Sequence, residues 1–180
     1  LNIIILIYAY EYKEGEVNMS DMLVKLYNVK EDHELLNELK KKGIYISRVL
    51  SPDKHNVLEF VRKNFNEGWA SECDAALSNH PTTCYIAVKD KEIIGFACYD
   101  ATAKDYFGPT GVSEAARGQR VGEALLKKCL CSMEEAGYAY AIIGGAKEAI
   151  GFYEKTVGAT VIEDSYPGVY ERLVRMYKRK

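Results

Sequence analysis

Residues 111–128 read GVSEAARGQRVGEALLKK. Two glycines, at 118 and 122, lie in a short Arg-containing connection that runs straight into a helical pattern, an arrangement from which backbone phosphate cradles are built. Neither common nucleotide loop is matched. A Walker loop needs GxxxxGK followed by Ser or Thr, and no such string occurs; the dinucleotide fingerprint GxGxxG is not met by glycines at 118 and 122. What remains is a strand, a short connection, RGQRVG, and a helix from about Arg120 to Ala136, with Gly137 ending it.

Working outward, strands and helices alternate. MLVKLYNV (22–29) reads as a strand, and EDHELLNELKKKG (31–43) as a helix with an acidic start, Leu35, Leu36 and Leu39 in register and a glycine stop. IYISRVL is a strand. SPDKHNVLEFVRKNF opens with Ser as cap and Pro in the first turn, and Val57, Leu58, Val61 and Phe65 supply its apolar stripe. GWASECDAALSN continues helical. TTCYIAVKDKEIIGFACYD then gives two β-rich runs around a polar tip at Lys89–Lys91, a hairpin. DYFGPTGV is extended, YAYAIIGG is a near-continuous apolar strand of the buried kind, KEAIGFYEKTVGA is a short helix closed by Gly158, and TVIED starts another strand. GVYERLVRMYKRK is open between strand and helix. Helices flanking an antiparallel hairpin predict a mixed α/β sheet, of α+β type.

The 180 residues and 48% hydrophobic content suffice for one domain with a real core. We expect a single domain over 19–180. A net charge of −2 supplies no global field toward nucleic acid or an anionic membrane, so neither is an expected partner. Five cysteines without a CxxC pair, and His33, His55 and His80 in polar positions, suggest no metal and no disulfide framework; a reducing cytoplasm is the expected setting. NIIILIYAY (2–10) falls far short of the roughly 20 residues that span a bilayer and lacks the flanks of a signal peptide. Two readings of residues 1–18 stay open. They form an extra strand or tail, or they are translated sequence upstream of a start at Met19 or Met22, with KEGE encoded by purine-rich codons of the kind found in a ribosome-binding site.

Strand, RGQRVG and helix together resemble the Gcn5-related N-acetyltransferase (GNAT) superfamily. Its signature is Arg or Gln, two residues, Gly, one residue, then Gly or Ala; Arg117, Arg120 and Gly122 take those places, and Arg120 departs from the pattern. The resemblance extends over roughly residues 44–165. The opening strand and helix look like YISRVLSPDKHNVLEFVRKNF, the central hairpin like CYIAVKDKEIIGFACYD, and the later motif like AIGFYEKTVGA. It implies a central, mostly antiparallel sheet splayed between its fourth and fifth core strands, with helices on both faces. The strand and helix at 22–43 would be additions to that fold.

The resemblance implies acetyl-coenzyme A as co-substrate, without a metal, and direct acetyl transfer to the amine of a small molecule or peptide. A helix N-terminus leaves about four unpaired N–H groups and about half a positive charge, enough to seat a pyrophosphate. The cradle would be Gly118, Gln119, Arg120, Val121 and Gly122, with Arg117 adding charge. Thr110, Gly111 and Val112 would pair with the pantetheine arm as an added strand does. Tyr153 holds the family's general-acid place and would protonate the leaving thiolate. The family's usual Asn falls at Ala146, for which backbone groups of Gly144 and Gly145 would substitute. The base is open: Asp100, Asp105, Glu67, Glu72 and Asp74 are the nearby acids, and Trp69 either lines the acceptor pocket or packs in the core. Arg120 implies a negative φ or a strained backbone; whether its guanidinium holds a phosphate or simply tolerates its place stays open, and Arg120→Ala is expected to raise the KM for acetyl-coenzyme A, an unchanged value marking a solvated helix residue. A non-catalytic coenzyme A-binding domain is the alternative reading, and a homodimer is compatible with either.

Overall fold

The computed structural model describes residues 20–174; the readings made for residues 1–18 and for the last residues of the chain lie outside the described residues. In chain order the elements are β1 (Met22–Lys25), α1 (His33–Lys41), β2 (Ile44–Arg48), α2 (Lys54–Asn64), α3 (Glu67–Ser78), β3 (Cys84–Lys89), β4 (Glu92–Tyr99), β5 (Tyr106–Val112), α4 (Val121–Glu135), β6 (Tyr140–Ile143), α5 (Ile150–Val157) and β7 (Thr160–Val161). The seven strands form one sheet in the order β2-β3-β4-β5-β6-β1-β7. Every pairing is antiparallel except β5 with β6.

Strand alternation divides the core into two layers. Tyr85, Ala87, Ala97 and Tyr99 face one side, where α1, α4 and α5 contribute Leu35, Leu39, Leu125, Leu126, Leu130 and Tyr153. Cys84, Ile86, Phe96 and Cys98 face the other, against Val57 and Val61 of α2 and Ala70, Cys73 and Ala76 of α3. This second layer contains no residue of β6 or β1, which is why β6 is not the doubly buried strand its composition suggested and Tyr140 stays 47% exposed. The hairpin tip falls at Asp90 and Lys91, both with φ > 0 (50° and 65°), the backbone of a two-residue hairpin turn.

Three local expectations change. Residues 22–29 are not one strand: β1 ends at Lys25 and the chain turns through a 3-10 segment at Leu26–Asn28, where the N–H of buried Leu26 donates to Ala139 O. Ser51 does not cap; its segment is a 3-10 turn without a side-chain cap, and α2 begins after Asp53. The segment Gly168–Arg172, open in the sequence between strand and helix, is a 3-10 turn. The added strand is also more than an appendage, because β1 lies inside the sheet between β6 and β7. Among the described residues no helix is long and apolar enough to cross a membrane.

Candidate active site

Where β5 meets β6 the sheet opens. Only Tyr106↔Ile142 and Phe107↔Ile143 are paired; from residue 108 to 112, β5 has no partner on that side. Its other edge stays bonded to β4, but with a register shift between Ala97 and Tyr99, opposite the stretch that contains Gly108 and Pro109. Pro has no N–H to give a ladder, and Gly108 has φ 125°, so these two residues suit the irregularity. Ser113 N–H donates to Ile94 O. Alternation then turns the amides of Val112 and Thr110 to the open edge, where an extended ligand would find donors and acceptors. Gly111 is needed for a different reason: a Cβ there would overlap the Phe65 ring.

The open edge leads to the start of α4. The first helix bond is Ala124 N–H to Arg120 O at 3.1 Å, so the N–H groups of Val121, Gly122 and Glu123 precede any intrahelical acceptor. Gly118 turns the chain with φ 77°. A Cβ at Gly122 would meet Val112 Cγ2 at 3.6 Å, an ordinary contact, so packing within the protein does not require glycine there. Arg117 Nε is buried and has no hydrogen-bond partner among the described residues. A buried guanidinium N–H without an acceptor costs free energy that an anion would recover. The residues present therefore fit a pyrophosphate.

Arg120 occupies the left-handed region, φ 63° and ψ 16°, so the strained alternative holds. Its guanidinium is engaged by carboxylates of this chain. It forks onto Glu123, with Nε–Oε2 2.8 Å and Nη2–Oε1 2.9 Å, and lies 3.8 Å from both Asp32 and Glu38. Gly145 is likewise occupied, its N–H donating to Asp21 Oδ1 at 2.9 Å, and the Ala146 N–H goes to Ser20 O.

Tyr153 lies at the vertex of the opening. Its ring packs edge-on against Phe107, the last β5 residue paired to β6, with centroids 6.4 Å apart. It is 8% exposed, its hydroxyl has no partner among the described residues, and burial pushes its pKa well above the usual phenol range. The phenol thus keeps its proton throughout the neutral range.

Four of the five acids singled out in the sequence are tied up elsewhere. Asp100 accepts from Tyr138 Oη at 2.7 Å and from Asp105 N–H at 2.9 Å and pairs with Lys104, fastening the β4–β5 turn. Glu72 accepts from Thr102, and burial raises its pKa; Glu67 meets Arg62 and Asp74 meets Lys54. Burial, with the Asp100 charge, raises Asp105. Trp69 lies tilted against Phe65 at 5.1 Å and edge-on to Phe96 at 6.2 Å, an aromatic cluster that reaches β5 through Phe65 on Gly111.

Sequence spacing gave no sign of one further cluster. Cys73, Cys84 and Cys98, from α3, β3 and β4, bring their sulfurs within 4.8 Å of one another, all buried. Three thiolates around a metal would leave net negative charge in an apolar layer, at a cost of several kcal/mol. We read them as packing residues. A shallow recess of about 470 Å³ at the start of α1, lined by Lys30, Glu31, Asp32, His33, Glu34 and Lys127, includes no residue of β5, β6 or the cradle.

Comparison with known proteins gives a consistent picture. A family model described as the acetyltransferase (GNAT) family matches residues 52–159. No curated protein matches the chain. Among solved structures, the glucosamine N-acetyltransferase region of a fungal multi-domain GH3 β-N-acetylglucosaminidase superposes with TM-score 0.65 at 14% identity, over 80% of this chain and 20% of that one. A GCN5-related N-acetyltransferase from Sphaerobacter thermophilus gives 0.57 at 19% identity, over 80% and 49%. Another from Kribbella flavida gives 0.52 at 12%, over 79% and 54%. The chain spans about a fifth to a half of the length of these solved chains, and at such identities they share its fold.

Proposed function

The chain belongs to the acetyltransferase (GNAT) family, its model covering more than half the length, and from that premise we propose that it transfers acetyl from acetyl-coenzyme A to a primary amine. The observation that carries the reading is the parting of β5 from β6 directly after the Phe107–Ile143 pair. It supplies a slot with unpaired amides on one wall, an anion-binding helix start at one end and a phenol at its vertex. Bound there, acetyl-coenzyme A would supply the acyl group as an activated thioester.

The chain's own residues then divide the work. Arg117 and the N–H groups of Val121 and Gly122 hold the pyrophosphate, and Gly118 and Gln119 shape the turn before them. Thr110 and Val112 present backbone groups to the amide-bearing arm, and the same N–H groups stand where negative charge develops on the acyl oxygen. Tyr153 holds a proton for the departing sulfur.

Calorimetric titration with acetyl-coenzyme A and thiol release over a panel of n-propylamine, spermidine, glucosamine, tyramine and a lysine-containing peptide test this reading. Arg117→Ala should weaken acetyl-coenzyme A binding about tenfold, the loss of one charge-assisted bond. Tyr153→Phe should lower kcat on the order of 100-fold and leave the acetyl-coenzyme A KM nearly unchanged. Tight binding without thiol release from any amine would favour the non-catalytic coenzyme A-binding alternative; no binding at all would end both.

A further inference from the structure

Opposite Tyr153, on the other face of the same vertex, lies a polar device that the reaction as described does not use. Tyr106 precedes Phe107 on β5, and alternation turns it to that face. Its ring lies over β6. A Cβ on Gly144 would stand 3.2 and 3.3 Å from Tyr106 Cδ1 and Cε1 and would overlap the Tyr170 hydroxyl. The bare backbone at 144 therefore lets two phenols cover the point where the strands part.

Beyond β6, the Tyr106 hydroxyl donates to Asp21 Oδ2 at 3.1 Å, while Gly145 N–H holds Asp21 Oδ1 at 2.9 Å. Asp21 is 6% exposed, whereas Tyr106 is only partly buried. A carboxylate thus sits behind a phenol, and among the described residues no cation pairs with it. Burial and the Asp21 charge push the Tyr106 phenol up to about 12, with Asp105 adding to the rise. A phenol of that kind does not ionise by itself; it passes a proton on when it receives another at the same oxygen. Among the described residues, the apolar layer built on α2 and α3 stops short of β6 and β1.

Resting on the acetyl-transfer reading, we propose that Tyr106 and Asp21 form the acceptor side of the site: the Tyr106 oxygen takes a proton from a cationic primary amine and hands its own to Asp21, whose charge favours an ammonium over a neutral acceptor. The balance closes. The ammonium gives one proton through Tyr106 to Asp21, which releases it to solvent. The nitrogen then forms the N–C bond, the C–S bond breaks with its electron pair on sulfur, and Tyr153 protonates that sulfur. The second proton lost by nitrogen passes to solvent, and a solvent proton restores Tyr153. Tyr106 is catalytic in this scheme, and Asp21 acts through it as a positioning residue.

Two measurements on the full chain decide it. In ligand-observed NMR with the coenzyme A-saturated protein, Asp21→Asn should weaken n-propylamine binding about tenfold or more while acetyl-coenzyme A affinity stays within about twofold. In thiol release, Tyr106→Phe should lower kcat about 100-fold for the fastest amine of the panel, yet change the rate with hydroxylamine, uncharged at neutral pH, by less than about threefold. Equal losses with both nucleophiles, or none with either, overturn the proposal and leave acetyl transfer standing. A wild-type chain that binds acetyl-coenzyme A but acetylates nothing overturns both. If Asp21→Asn fails to fold, Asp21 is a structural pin, and Tyr106→Phe, which keeps the ring, decides alone.

Discussion

At Arg120 two local effects oppose each other. A left-handed backbone costs a non-glycine residue about 1–2 kcal/mol, whereas the fork onto Glu123 and the proximity of Asp32 and Glu38 reward the side chain. Arg120→Ala should lose the fork and keep the strain; Arg120→Gly should lose the fork and relieve it. The glycine variant is thus expected to be more stable than the alanine variant by about 1 kcal/mol, which is about 2–4 °C in Tm for a chain of this size. Acetyl-coenzyme A affinity should change by less than about twofold in both, since three carboxylates already engage the guanidinium. Equal melting temperatures would remove the strain argument, and a large loss of affinity would return Arg120 to the phosphate. The departure from glycine was legible at this position, and so was the choice between negative φ and strain. The direction of the side chain was not, because Asp32 and Glu38 lie more than 80 residues earlier in the chain.

At the scale of elements, α1 and α4 are fastened start to start. Asp32 caps α1 through Leu35 N–H at 2.9 Å and accepts from Lys127 Nζ at 2.9 Å; Lys127 also meets Glu123 Oε1 at 2.8 Å. The Leu35 N–H, with Lys127, holds Asp32 below the usual carboxylate range, and Arg120, then Lys127, does the same for Glu123. A depressed folded pKa stabilises above the unfolded value and loses that contribution as pH falls through the folded one. The window therefore opens below about pH 4, where unfolded carboxylates titrate. In Tm measured against pH, the wild type should fall more steeply there than Asp32→Asn/Glu123→Gln, in which Asn keeps the cap. The gap between them at neutral pH should narrow as acid is added; parallel curves would show that the junction carries no net charge coupling. Elements themselves were readable from local pattern: the acidic start, leucine register and glycine stop of α1, the polar tip of the hairpin, the Phe-Tyr-Glu-Lys helix. Their junctions were not, since a Lys127–Asp32 bond spans 95 residues and leaves no periodic mark. Asp21 and Tyr106 escaped notice for the same reason, separated by 85 residues and brought together only by the placement of β1 in the sheet.

That placement gives the whole molecule its test. Had β1 merely been added at an edge, disturbing it would leave the rest of the sheet intact. It instead joins β6 to β7, and Val24 is fully buried in the layer shared with α1, α4 and α5. Trp69, the single tryptophan, reports on the opposite layer. A sheet that serves as the common wall of both layers should transmit a fault from one to the other, because each strand's two faces share one backbone. Val24→Asp buries a charge without a partner and should cost at least about 3 kcal/mol. We expect Trp69 fluorescence and loss of acetyl-coenzyme A binding to show the same lowered Tm in that variant. Val161→Asp, on the 40% exposed position of β7, should change neither by more than about 0.5 kcal/mol. If Trp69 instead kept its wild-type transition while binding was lost, the two layers would be separate cooperative units, and the single domain expected over residues 19–180 would have to be divided along the sheet.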